Sequence, residues 1–324
     1  MVMEKKETIF AIVYAIVAAT LYAISVPCSK VLLKNEPPVF MAGLLYVGAG
    51  FGVGFMWLFH KKNEKINERL VRQDLPYVVG MVVLDIAAPN FLMTGVKYGT
   101  SSNASLLGNF EIVATALIAR LIFKECVSFR LWIAILLITI SSIILTYDGV
   151  DEVGFSIGSL FVLCATVCWG LENNCTRKIS EKSTYQIVTI KGLCSGVGAM
   201  IVALSIGESP FSYQYIPVVL LLGFVAYGLS IFSYIRAQKK LGAAKTGAYY
   251  SIAPFIGAFF AFVFLDEPLS MQYVLALLVM IVGTVFIVYD TLARSHSHEH
   301  SHIHNNVTHS HSHDHFSEVD VHDH

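Results

Sequence analysis

Residues 9–33, IFAIVYAIVAATLYAISVPCSKVLL, decide the fold: in these 25 residues Lys30 is the sole charge. A helix rising about 1.5 Å per residue needs roughly 20 apolar residues to cross a hydrocarbon layer of about 30 Å. The stretch meets that length. It is too long for a signal-peptide core and carries no A-x-A cleavage site in the usual place, so it reads as a retained first span. Nine comparable stretches follow, at about 38–59, 75–96, 101–122, 130–147, 155–178, 183–206, 215–236, 243–264 and 270–290. The chain of 324 residues is 55% hydrophobic and 14% charged, whereas soluble domains carry about a quarter charged residues. A water-soluble fold of this size has nowhere to bury that much apolar surface. The spans are expected to be helices joined as hairpins, because unpaired backbone is not tolerated against lipid. The predicted class is therefore an all-α membrane protein of ten transmembrane helices.

Basic residues are disfavoured in translocated loops, so their placement orients the chain. With the N-terminus inside, 18 of the 22 lysines and arginines fall in inner segments, among them Lys61, Lys62, Arg177, Lys178, Lys239 and Lys240. Lys30, Lys34 and Lys97 fall outside, and Lys191 lies within a span. Both ends are thus expected in the cytoplasm, the N-terminal residues 1–8 included, in a multi-pass protein of the cell membrane. The net charge of −1 gives no support to nucleic acid as a partner. The six cysteines show neither a disulfide framework nor zinc-ligand spacing.

An internal repeat is legible. Tyr22-Ala-Ile-Ser-Val-Pro-Cys-Ser-Lys30 aligns with Trp169-Gly-Leu-Glu-Asn-Asn-Cys-Thr-Arg177, and Gly50-Phe-Gly52 with Gly196-Val-Gly198. Lys97-Tyr-Gly99 aligns with Lys240-Leu-Gly242, and Phe123-Lys-Glu125 with Leu265-Asp-Glu267, at offsets drifting from 147 to 142. Two five-helix units, 9–147 and 155–290, follow from this. Because five is odd, the second copy is expected to insert upside down relative to the first, an arrangement common in secondary transporters.

The paired ends of spans four and nine, Ile122-Phe-Lys-Glu125 and Phe264-Leu-Asp-Glu-Pro268, with Ala253-Pro254-Phe255 inside span nine, resemble the drug/metabolite transporter superfamily and its EamA-type ten-helix members. The first copy departs from the pattern, with Glu111-Ile112-Val113 where the second has its proline. The resemblance implies a secondary active transporter that moves small polar metabolites, such as amino acids or drugs, by alternating access.

Ionisable side chains deep in a bilayer cost at least about 2.5–3.5 kcal/mol and usually face a cavity or a partner. Asp85 and Glu111 each lie about ten residues into consecutive spans and are candidates for proton or cation binding. Glu172 and Lys191 lie at depths differing by about 3 Å, so an ion pair between them is allowed; a fixed salt bridge and a gating or substrate-binding role both fit. Asn173 extends the polar run at Glu172, and Asn90 and Asn109 lie beside helix breaks. Trp169 and Tyr227 are added as candidate wall residues, with Tyr234, Tyr249 and Tyr250 able to line an amphipathic cavity. The run Gly48-x-Gly50-x-Gly52-x-Gly54 sits mid-span with no strand before it, so it reads as a close helix contact and not as a phosphate loop.

The tail, 295–324, holds 11 of the 12 histidines, including His296, His298, His300, His302, His304, His309, His311, His313 and His315. It is too polar to pack, so disorder is expected. Neutral imidazoles are ligands for Zn, Ni, Co or Cu, and loose metal capture by the tail is an expectation. No cofactor is required by the transport reading. The expected partners are a small-molecule substrate, membrane lipid and protons through Glu111 or Asp85, with a homodimer compatible but not demanded. Two further readings stay open: a divalent-metal carrier using the membrane carboxylates, and a non-transporting sensor or intramembrane enzyme. Against catalysis, no paired nucleophile and base is visible.

Overall fold

The computed structural model describes residues 2–32, 37–98, 107–108, 110–146, 157–208, 212–265, 271–293, 298–304 and 307–313. Among them ten helices of more than ten residues follow one another: α1 (Val2–Leu32), α2 (Pro38–His60), α3 (Leu75–Tyr98), α4 (Glu111–Leu121), α5 (Phe129–Thr146), α6 (Ile157–Ile179), α7 (Thr184–Ser205), α8 (216–250), α9 (Ala253–Leu265) and α10 (Met271–Ala293). Seven of them, α1–α3, α5–α7 and α10, fall where spans were expected; α4 covers 111–121 of the span expected at 101–122, and the span expected at 243–264 is divided between the end of α8 and α9. By length and composition six of the described helices can cross a membrane alone, while Phe129–Ile144 and Ala253–Phe264 are shorter apolar helices. The α6 helix is long enough but carries the polar run Glu172-Asn173-Asn174.

The eighth helix is composite. Ile216–Leu222 leads into a π turn at Gly223–Gly228, and the following run Leu229–Tyr250 bends at Gly242, whose φ of 81° and ψ of 174° lie outside the helical region. That conformation is essentially restricted to glycine. The bend separates spans eight and nine. Span nine is itself interrupted at residues 251–252 before α9 begins with Ala253 and Pro254.

Packing follows the repeat. The α2 helix lies against α7, α1 against α8, and α3 against α6; α9 meets α1 as α4 meets α6, and α5 pairs with α10. Each contact therefore has its counterpart five helices further on. At the α2–α7 crossing a Cβ on Gly192 would sit 2.4 Å from the backbone nitrogen of Gly50, and at the α2–α8 crossing a Cβ on Gly223 would sit 2.2 Å from the carbonyl oxygen of Leu45. The glycine run is thus a helix contact, as its position in the span required. One buried cluster joins α5 and α10 through Ile135, Ile138, Met280 and Ile287, and another joins α3, α6 and α7 through Met81, Ile179 and Ile187. On the outside, Phe51, Phe55 and Phe59 of α2 lie one turn apart and are 64%, 63% and 72% exposed. An exposed aromatic row of this kind suits lipid and not water.

The tail departs from the expectation of disorder over part of its length. His298–His304 and Val307–His313 pair as antiparallel strands β1 and β2, opposing His298 to His313, His300 to His311 and His302 to His309. The alternation of histidine with small or acidic residues has the two-residue period of a strand. Of the predicted metal-ligating residues, His296 and His315 lie outside the described residues.

Candidate functional site

Three consecutive residues of α6 organise the interior. Successive helical residues point about 100° apart, so Glu172, Asn173 and Asn174 reach in three directions, the two asparagines meeting at Thr115. Glu172 Oε1 accepts from Lys191 Nζ of α7 at 2.8 Å and from the Thr176 hydroxyl at 2.6 Å. The Asn173 amide donates to Glu111 Oε1 at 3.2 Å and to Thr115 Oγ1 at 3.4 Å. The Asn174 amide donates to the backbone oxygens of Thr115 and Gly170 at 3.0 and 2.8 Å, fixing α6 to α4.

Lys191 is shared. Its ammonium lies 3.8 Å from Asp85 Oδ1 of α3, which also accepts from the Tyr46 hydroxyl of α2 at 3.1 Å. At an effective dielectric of about 20 the attraction is about 6 kcal/mol at 2.8 Å and about 4 kcal/mol at 3.8 Å. Glu172 is therefore the principal partner of Lys191 and Asp85 the secondary one. Asp85 Oδ2 is buried without a hydrogen-bond partner among the described residues.

Glu111 is held differently. It is the first residue of α4. Its hydrogen bond comes from the Asn173 amide, and among the described residues no cation forms an ion pair with it.

These groups line one cavity of about 430 Å³, within the range of small-molecule sites. Its aromatic wall is a continuous chain of tyrosines, Tyr46, Tyr227, Tyr22, Tyr250 and Tyr234, with neighbouring ring centroids 5.5, 5.5, 5.7 and 5.0 Å apart. Tyr227 sits within the π turn of α8, a local widening often found where a helix serves a site. Trp169 completes the aromatic lining, and Pro89 and Pro254 reach the same space.

The structure thus gathers seven of the nine proposed interior residues: Asp85, Glu111, Trp169, Glu172, Asn173, Lys191 and Tyr227 all line this cavity. Asn90 does not; its amide donates to the carbonyl of Ile86, one turn back on its own helix, at 2.7 Å. Asn109 lies outside the described residues. Tyr234 and Tyr250 line the cavity as anticipated, whereas the Tyr249 hydroxyl is turned to Thr291 at 3.2 Å. Tyr22 and Tyr46 are lining residues that sequence reasoning missed, although Tyr22 is the repeat counterpart of Trp169. Among the described residues no three His, Cys, Asp or Glu side chains converge to hold a metal ion. The carboxylates proposed for a metal carrier are instead engaged by Lys191, Asn173, Thr176 and Tyr46.

The end of the bundle that carries the start of α1 and the close of α10 is tied across the repeats. Both oxygens of Glu125 accept from the backbone nitrogen of Ala243 at 3.2 Å, directly after the Gly242 bend, and Arg177 Nε lies 3.6 Å from Glu125 Oε1. Gln238 donates to the carbonyl of Asn173 at 3.1 Å. Exposed pairs, Lys239 with Glu181 and Lys240 with Glu7, lie over these contacts. The acid of the Phe-Lys-Glu segment therefore caps the kinked start of span nine.

Comparison with known proteins agrees with this arrangement. Residues 9–147 and 156–289 each match the EamA-like transporter family. A protein of Methanothermobacter thermautotrophicus named as an uncharacterized transporter is 27% identical over 295 residues, covering 85% of each chain. The uncharacterized transporter YyaM of Bacillus subtilis is 22% identical over 244 residues, 72% of this chain and 80% of its own. A crystal structure superposes with a TM-score of 0.73 over 87% of this chain and 97% of that one; at 14% identity it speaks to the fold alone.

Proposed function

Because the chain belongs to the EamA-like transporter family, we propose that it is a secondary active carrier that exports small polar metabolites by alternating access, coupled to protons through Glu111. The observation carrying this reading is the central cavity, in which Glu111 is the one carboxylate whose hydrogen bond comes from an amide and with which no described cation pairs. A carboxylate so placed can exchange a proton for a substrate group. Asp85 is less free, being tied to Lys191 and Tyr46.

The two repeats are taken to insert oppositely, in a cell membrane with both chain ends in the cytoplasm. Rocking of one repeat on the other then opens the cavity to each side in turn. The Glu125–Ala243 contact and the Gln238–Asn173 bond are the inner ties such a motion would break. Flux of a metabolite panel in proteoliposomes with an imposed pH gradient tests the reading. Gradient-driven flux should be lost in Glu111→Gln, which keeps the contact to Asn173, and solute exchange without a gradient should persist at saturating solute. Unchanged gradient-driven flux in that variant would remove Glu111 from the coupling step.

A further inference from the structure

We infer that the substrate is an organic cation, a protonated amine or quaternary ammonium group on an amphipathic body, held between Glu111 and the chain of five tyrosines. This rests on the carrier reading and adds to it the charge class of what is carried.

The charges lining the cavity are three carboxylates, Asp85, Glu111 and Glu172, against one ammonium, Lys191, an excess of two acids when all are ionised. Lys191 is already committed, at 2.8 Å to Glu172 and 3.8 Å to Asp85. An anionic substrate would therefore meet no available cation among the lining residues. It would also have to displace Glu172 from its partner, leaving a buried charge uncompensated. A cation meets the opposite situation. Glu111 offers a carboxylate with which no described cation forms an ion pair, its side-chain hydrogen bond coming from the neutral Asn173 amide.

The wall fits the same class. Five rings in unbroken succession present π faces and edges together with hydroxyl oxygens, and Trp169 adds the strongest aromatic partner for a cation. A cation within about 6 Å of such a ring centroid gains from its quadrupole, more where water is excluded. The same rings accept the apolar body of the ligand. Of the aromatic types, only tyrosine and tryptophan line the cavity among the described residues; phenylalanine is absent from it.

A charge series on one aromatic body tests the inference: phenethylammonium, the zwitterion phenylalanine and the anion phenylacetate, titrated into the purified full chain. Trp169 reports occupancy by fluorescence, with Trp169→Phe identifying its share of the signal over Trp57 and Trp132. Phenethylammonium should bind at least tenfold tighter than phenylacetate, and Glu111→Gln should weaken it at least tenfold. Binding of phenylacetate or phenylalanine as tightly as the amine, or binding of none of the three, overturns the inference. So does an amine affinity that Glu111→Gln leaves unchanged. The wild-type series needs no variant to fold. Failure here leaves the carrier reading standing if vesicles still move other solutes down a pH gradient; loss of all flux with amine binding intact would sink the carrier reading and spare this one.

Discussion

Replacing Lys191 with methionine should destabilise the protein severely, and the cause should be the charge left behind. The side chains of Lys191, Glu172 and Asp85 are 9%, 5% and 2% exposed, and the ammonium is the one cation within reach of both acids among the residues lining the cavity. Methionine keeps most of the stem volume, so packing changes little. Removing one partner of a buried pair costs about 3–5 kcal/mol, because the surviving charge is neither hydrated nor paired. At about 2 °C per kcal/mol for a chain of this size, the melting temperature in detergent should fall by roughly 6–10 °C. The double variant Lys191→Met with Glu172→Gln removes the principal orphaned charge, and its new amide oxygen can still accept from Thr176. It should recover more than half of the loss. A single variant within 1 °C of the parent, or a double variant no better than the single, would refute the assignment of Lys191 to Glu172.

Other expectations concern backbone and tail. Gly192→Ala places a Cβ 2.4 Å from the Gly50 backbone nitrogen and should cost about 1–3 kcal/mol, read as a lower melting temperature. Gly54→Ala, whose Cβ would meet only the Thr189 side chain at 3.2 Å, should cost clearly less. Gly242→Ala must hold a φ of 81° and crowd the Glu125 carboxylate at 3.0 Å, so a loss of about 1–3 kcal/mol is expected in the same assay. Removing 295–324 should abolish retention of Ni or Zn by the dialysed protein, measured by elemental analysis, and leave solute flux unchanged; retained metal would locate the ligands elsewhere.

The spans, the repeat and the polar interior were legible because each depends on a period or a depth that sequence displays. Glu172 and Lys191 could be matched from helical rise alone, and Asn173 stood out as a polar residue inside a span. What sequence could not supply was the rotation of each helix about its axis. Tyr22 and Tyr46 look like ordinary packing aromatics until α1, α2 and α8 set their rings edge to face around the cavity. Asn90 departs from expectation for the converse reason: a short amide in a helix can bond the carbonyl one turn back, and this one does. Glu125 was visible as a family marker, yet its work depends on a contact 118 residues away, at a kink that no local pattern announces.

The most direct test of the central claim is proton movement driven by solute in sealed vesicles containing the purified protein and a trapped pH dye. With a transported solute added on one side, the parent protein should move protons in the opposite direction, and Glu111→Gln, given solute at a concentration raised to offset its weaker binding, should carry it without any proton signal. Equal proton movement in the variant, or solute movement by the parent with no proton signal at any imposed gradient, would contradict the account.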